Sequence, residues 1–400
     1  MGALLKFGGS SLKDYDLIKK ACQKIISDKN KYKDIVVVVS AMGDTTNNLI
    51  NDAKALAKYP NKRDLDSLLV VGELKSASLV SIHLNELGYK AIALNAYQAG
   101  IYSNGNYNNS NINHIDNRLI KEYLKDGYIV VVPGFQGINN LGEFMTLGRG
   151  GSDQTAIKLA ASLNYEAIIY TDVDGIYGID PRIYKDAKKI DKISYEEMKE
   201  MATLGAKVME NKSIDFAHHN LVDVIVKRMN GNGDGTLITS NDKINVRKKV
   251  TGIAVSNNII MVSIRRIPFK SHITTTLFND LAQNGVNVDI INQNPGAGGF
   301  MNIAFTANVS DIDLIDEVLD KFKNKYPRSV IIKDSEVFKV SLVGSQMREE
   351  SGVAALVFKI LDENNFEFRL VTTSEISISY TFDNKNQDKI IELLASYFNL

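Results

Sequence analysis

Three glycine-rich turns hold the residues whose types and spacing suit chemistry on anionic groups. Lys6-Phe-Gly-Gly-Ser-Ser11 follows an apolar run and leads into a helical stretch. Its paired glycines let backbone N–H groups approach a phosphate, and the lysine adds positive charge. The lysine precedes the glycines and GxxxxGK[ST] is absent, so this is not the Walker arrangement. An ordinary strand-to-helix turn with an exposed lysine has the same composition. Leu147-Gly-Arg-Gly-Gly-Ser-Asp153 is a second such turn. The free N–H groups of residues 150–153 would form another anion nest, and the planar guanidinium of Arg149 suits a carboxylate. Asp153, at the start of a helix, is also a favoured capping residue. The third segment runs from Tyr170 to Arg182 and turns at Asp174-Gly175 and Asp180-Pro181. It leaves the carboxyl end of a strand, where open α/β sheets bind ligands. Its aspartates can equally satisfy turn donors, and Val173 and Ile176 interrupt the oxygen spacing that calcium requires. Lys207, at the apparent start of a helix, opposes the helix dipole unless an anion lies nearby. His218 and His219 are adjacent, so they face different ways on a helix, and no metal-ligand spacing accompanies them. They read as structural.

The elements that must position these turns follow from periodicity. Short β-branched runs at 3–6, 35–40, 90–95, 128–133, 167–171 and 223–226 alternate with helically spaced stretches at 14–27, 45–58, 73–87, 152–163 and 207–218. This is the rhythm of parallel strands crossed by helices. The strands are mostly apolar, so both faces of the sheet should be covered. Residues 104–113 are polar and read as a mobile loop. Asn230-Gly-Asn-Gly-Asp-Gly235 is dense in turn formers and reads as the end of the first domain. Beyond it the chain repeats: Leu277-Phe-Asn-Asp-Leu-Ala-Gln-Asn284 matches Val357-Phe-Lys-Ile-Leu-Asp-Glu-Asn364, each after a short strand. Two related α+β units are expected, better suited to regulation or assembly than to chemistry.

Composition removes other classes. Forty-seven basic and 47 acidic residues leave no overall field to attract nucleic acid or an anionic membrane. Cys22 is the only cysteine, so no disulfide framework or cysteine-rich zinc site can form, and a reducing cytoplasm fits best. Uninterrupted apolar runs such as 35–39 and 129–132 fall well short of the roughly 18 residues of a membrane span.

Taken together, the motifs resemble aspartate kinase, of the amino-acid kinase superfamily. The matching blocks are Lys6-Phe-Gly-Gly-Ser-Ser11, Val39-Ser-Ala-Met-Gly-Asp-Thr-Thr-Asn47, Val71-Gly-Glu73, Pro133-Gly-Phe-Gln-Gly137, Thr146-Leu-Gly-Arg-Gly-Gly-Ser-Asp153, the block from Tyr170 to Arg182, and Gly205-Ala-Lys-Val208. The resemblance implies an α/β catalytic domain over 1–245, a three-layer α/β/α sandwich with a mainly parallel sheet. It also implies two ACT domains at 262–335 and 336–400, with 250–261 lending a strand to the second. The implied catalytic residues are Lys6, Asp153 and Lys207. Thr46, Glu73, Arg149, Gly150, Gly151 and Ser152 fall on aspartate-binding positions; Lys6, Phe7, Gly8, Gly9, Thr171, Asp172, Tyr177, Arg182 and Lys207 fall on ATP-binding ones. The implied reaction yields 4-phospho-L-aspartate and ADP, with Mg2+ arriving on ATP rather than at a dedicated protein site. The implied effector is an amino acid, lysine in preference to threonine, near Val288, Asp289, Ser345 and Met347. Assembly is implied as a homodimer or homotetramer through the ACT domains. His272 stands where the first ACT unit usually has glycine, whereas the second keeps Gly352.

Overall fold

The computed structural model describes residues 2–206, 209–229, 231, 233–245, 248–350 and 352–400. They form two compact units: Met1–Gly178 with Lys189–Thr203 and Lys207–Arg247, and Ile179–Lys188 with Leu204–Ala206 and Lys248–Leu400.

In chain order the first unit contains β1 (Gly2–Phe7), α1 (Tyr15–Lys29), β2 (Asp34–Val39), α2 (Thr45–Leu56), α3 (Lys62–Glu86), β3 (Ala91–Ala93), β4 (Ile101–Asn106), β5 (Asn109–Ile115), α4 (Arg118–Lys125), β6 (Ile129–Pro133), β7 (Gln136–Ile138), β8 (Phe144–Thr146), α5 (Gly151–Leu163), β9 (Glu166–Thr171), β10 (Lys192–Ser194), α6 (Tyr195–Leu204), α7 (Asn211–His219), β11 (Val224–Arg228) and β12 (Thr236–Thr239). Eight strands form one sheet in the order β10-β12-β11-β9-β1-β2-β6-β3, with only the β11–β12 pair antiparallel. The strands are buried on both faces, as parallel strands between helical layers must be. Alternation sorts β1: Ala3, Leu5 and Phe7 join the core shared with α1 and α3. Leu4 and Lys6 point to the opposite face, where α5 packs on β1. β1 is flanked by β2 on one side and β9 on the other, so the carboxyl ends of all three open at a topological switch point.

Four expectations are corrected. Residues 104–113 are not a loop: β4 and β5 pair antiparallel with Gly105 opposite Ser110, and join β7 and β8 in a second four-stranded sheet. Ser103, Ser110 and Ile112 are buried on its inner side, and small polar residues there conceal the alternation. Helix α3 begins at Lys62 rather than 73, its start capped by the Asn61 side chain accepting from Arg63 N at 2.9 Å. The buried Asp66 and Glu73 break the apolar pattern that would have revealed it. α3 has the length and mean apolarity of a membrane span, but half of that apolar window is buried inside the protein. A second helix boundary also moves: α7 starts at Asn211, and Lys207 lies outside the described residues. Last, the first domain does not end at residue 235, because β12 follows and still belongs to the large sheet.

The second unit contains β13 (Gly252–Ser256), β14 (Ile259–Pro268), α8 (Ser271–Gln283), β15 (Val288–Pro295), β16 (Phe300–Asn308), α9 (Ile312–Lys325), β17 (Val330–Asp334), β18 (Val337–Val343), α10 (Val353–Glu363), β19 (Leu370–Thr373), β20 (Ser377–Asp383) and α11 (Gln387–Phe398). Its two sheets run β15-β16-β14-β17 and β19-β20-β18-β13. The repeat is visible in this order: β14, β15 and β16 correspond to β18, β19 and β20. β13 fills the slot that β17 holds in the first module. Each module has its own apolar core, and Phe278 and Phe358 occupy equivalent helix positions. Gly352 precedes α10 with φ 99°, a conformation that favours glycine. His272 lies inside α8 and escapes that requirement, which accounts for a side chain being tolerated there.

Candidate active site

Lys6 and Asp153 meet because two elements aim them at one point. Lys6 is the last residue of β1 on the α5 face, and Asp153 lies in the first turn of α5. The lysine Nζ stands 2.6 Å from Asp153 Oδ1, with both side chains largely buried. The capping reading of Asp153 is thereby corrected. The residue before α5 is Gly150, at φ 71° with no side-chain cap, which leaves the aspartate carboxylate for the lysine.

This pair lines a cleft of about 290 Å³ that also takes in Gly9, Ser40, Ala41, Gly43, Thr46, Glu73, Phe135 and the run from Gly148 to Ser152. The six aspartate-binding positions implied by the resemblance therefore converge with Lys6 and Asp153 in one hollow. Glu73 is 3% exposed. Its Oε1 accepts from Ala41 N at 3.2 Å, while Oε2 is buried with no partner. Burial pushes the carboxyl up to about 7, and the hydrogen bond from Ala41 opposes this in part. An ammonium group is the natural partner for such an oxygen. Gly72 makes the approach possible, since a Cβ there would come within 3.0 Å of Ala41 Cβ. Opposite, Gly148 and Gly150 adopt φ 73° and 71° where the chain enters α5, and the expected nest of four free N–H groups is corrected: Gly151 N donates to Gly148 O at 3.1 Å and Asp153 N to Gly150 O at 3.0 Å. Arg149 is exposed and pairs through Nε with Glu210 Oε1 at 3.1 Å.

The ATP-assigned residues are placed as follows. Gly9 lines the cleft, and its backbone O accepts from Gly43 N at 3.1 Å. Gly8 follows β1, with the Lys6 Nζ 3.6 Å from where its Cβ would stand. The Phe7 side chain is fully buried and stacks on Tyr170 with centroids 4.8 Å apart, so only its backbone can face a ligand. Thr171 closes β9 beside the end of β1 and donates to Asp172 Oδ1 at 2.9 Å. Tyr177 bridges to Lys189. Arg182 belongs to the second unit, where it pairs with Asp180 at 2.6 Å. His218 stacks on Tyr195, consistent with a structural reading. Of the effector positions, Val288 and Asp289 begin β15, and the Asp289 carboxylate pairs with the buried Lys339 of β18. Ser345 and Met347 lie in the turn Ser345–Arg348, Met347 against the second module's core.

Sequence reasoning assigned no role to the Ala41 amide, Phe135 or Asp66. Phe135 lines the cleft at φ 68°, its N–H held by Thr155 Oγ1 at 3.2 Å. A non-glycine residue held at such an angle beside a cleft is typical of functional loops, and in sequence only Gly134 before it and Gly137 two residues after it mark the turn.

A mainly parallel sheet with its cleft at the switch point, a lysine near the end of the first strand and a glycine-framed helix start beside it are the features of an amino-acid kinase fold. Residues 1–228 match the amino acid kinase family and residues 340–398 an ACT domain. An aspartokinase of Bacillus sp. (strain MGA3) is 39% identical over 402 residues, covering 100% of this chain and 98% of that one. Aspartokinase 2 of Bacillus subtilis is likewise 39% identical with the same coverage. E. coli aspartokinase III, solved in complex with lysine and aspartate, shares the fold at a TM-score of 0.82 and 24% identity, covering 99% of both chains. The chain belongs to the aspartokinase family.

Proposed function

We propose that the chain transfers the γ-phosphoryl group of ATP to the side-chain carboxylate of L-aspartate, giving 4-phospho-L-aspartate and ADP. The convergence of Lys6–Asp153, the half-satisfied Glu73 carboxylate and the glycine-framed helix start in one small cleft carries this reading. Glu73 takes the substrate's ammonium, while Arg149 and the amides of Gly150 and Ser152 take its α-carboxylate, with Gly151 and Thr46 beside them. Anchored at both groups, the side-chain carboxylate is left to react. With a pKa of about 4 it is already ionised at neutral pH, so no general base is needed. One of its oxygens attacks the γ-phosphorus as the bond to the ADP oxygen breaks.

The obstacle is repulsion between two anions, and Lys6, held in place by Asp153, supplies positive charge where the transferring group passes. Lys207 would add a second charge. Phe7 and Gly8 through their backbones, together with Gly9, Thr171, Asp172, Tyr177 and Arg182, are assigned to the nucleotide. ATP would bring Mg2+. Asp153, the carboxylate paired with Lys6, would be the residue that helps to hold the ion together with the phosphate oxygens. Among the described residues no group of three or more His, Cys, Asp or Glu side chains is placed to hold a metal ion. When bound, the ion screens the charge of the phosphates.

The second unit is assigned to control in the cytoplasm. Lysine is favoured as the effector because its side-chain ammonium could replace that of Lys339 on Asp289. Its binding would favour a dimeric or tetrameric arrangement, assembled through the ACT modules, with a less competent kinase cleft. The domain limits that go with this reading, 1–245, 262–335 and 336–400, are adjusted by β14, which opens the first module at Ile259, and by Ile179–Lys188 and Leu204–Ala206, which group with the second unit. ADP release measured with aspartate, glutamate, carbamate and UMP as acceptors tests the substrate. Aspartate alone should support turnover, and preference for another acceptor would overturn the assignment.

A further inference from the structure

Asp66 is fully buried, lies outside the cleft lining, and belongs to none of the motifs above. Its carboxylate accepts from Thr146 N at 2.9 Å, Thr146 Oγ1 at 2.6 Å, Asn108 N at 3.0 Å and the Asn108 side-chain amide. Those donors belong to two separate pieces of chain. Thr146 ends β8, two residues before Gly148, and Asn108 forms the tip of the β4–β5 hairpin at φ 66°. The tip in turn backs the loop that carries Arg149: a Cβ on Gly148 would lie 3.2 Å from both Asn108 O and Asn109 Oδ1. With left-handed glycines at 148 and 150, that loop has little stiffness of its own.

Asp66 also shares a helix face with two other anchors. Residues 66, 70 and 73 follow the i, i+4, i+7 spacing of one face of α3. Val70 O accepts from Gln136 Nε2 at 3.3 Å on β7, and Glu73 accepts from Ala41 N in the cleft wall. One rigid helix thus fixes both sides of the hollow, Glu73 directly and the Arg149 loop through Asp66.

We propose that Asp66 is a positioning residue for aspartate binding, which holds the loop from Gly148 to Ser152 at the distance from Glu73 that an α-amino acid spans. This rests on the reading of that loop as the α-carboxylate site. Replacing the carboxylate leaves buried donors on Thr146 and Asn108 unpaired and frees the loop.

The test combines kinetics with hydrogen–deuterium exchange on the full chain. Asp66→Asn and Thr146→Val should raise KM for L-aspartate by about tenfold or more and KM for ATP by less than about twofold, and Thr146→Ser should restore most of the loss. Exchange should quicken at residues 147–152 and 107–109 and stay unchanged in β9. If Asp66→Asn does not fold, Thr146→Val and Asn108→Ala give the same readouts. Unchanged exchange in that loop, or equal losses for both substrates, would overturn the proposal. An unmodified protein inactive on aspartate, with exchange still quickened in the variants, would instead refute the substrate reading and leave the anchoring intact.

Discussion

Glu73 should make aspartate binding depend on pH in a defined direction. Desolvation raises its carboxyl from 4.5 to about 7 in the free protein. Glu73 is therefore about one-tenth ionised near pH 6 and about nine-tenths near pH 8. Only the ionised form can pair with the substrate ammonium, so kcat/KM for aspartate should rise about tenfold across that range and then level off. Binding should release about half a proton near pH 7, measurable by calorimetry in two buffers of different ionisation enthalpy. The sign for stability is opposite. The native state holds the proton more tightly than the unfolded chain between 4.5 and about 7. Free-protein stability is therefore greatest below that window and falls as pH rises through it, by about 3 kcal/mol in all. Glu73→Gln should flatten both profiles and lower kcat/KM by about thirtyfold or more, the cost of removing one partner of a buried charge pair. A pH-independent kcat/KM in the unmodified protein, or proton uptake on binding aspartate, would refute the reasoning.

Other perturbations follow from the same geometry. Lys6→Met should cut kcat by roughly a hundredfold or more with modest change in either KM, read from steady-state ADP release. Gly134→Ala should raise KM for aspartate, because its Cβ would press within 2.8 Å of Ser152 Cβ at the start of α5; a parallel rise for ATP would contradict this. Glu210→Gln releases Arg149 from an exposed ion pair and should lower KM for aspartate by up to about fivefold in low salt. Lys339→Met removes the resident ammonium from Asp289 and should tighten inhibition by lysine, measured as a lower half-inhibiting concentration.

The cleft's framework was legible in part because two glycine-rich turns stand where a strand ends and a helix starts, although each turn alone has an ordinary structural explanation. The turns at 6–11 and 147–153 fold as a strand end and a helix start, and two-residue alternation along β1 already places Lys6 opposite the core-facing Leu5 and Phe7. What stayed hidden was polar and buried. Asp66 looks like a solvated helix residue until the hairpin tip and β8 close over it, and the hairpin looked like a loop because Ser103 and Ser110 hold places that apolar residues usually mark. The unpaired oxygen of Glu73 arises only when α3 packs against the turn at Ala41, a contact between residues 32 positions apart.

The central claim is that phosphoryl transfer occurs on the side-chain carboxylate of aspartate held by its backbone groups. Turnover with L-aspartate carrying 18O in that carboxylate, followed by phosphorus NMR and hydroxylamine trapping, tests it most directly. The account predicts ATP-dependent formation of the side-chain hydroxamate and an isotope-shifted acyl phosphate signal, both lost in Lys6→Met. Trapping of the α-hydroxamate, or no isotope shift in the phosphorylated product, would contradict it.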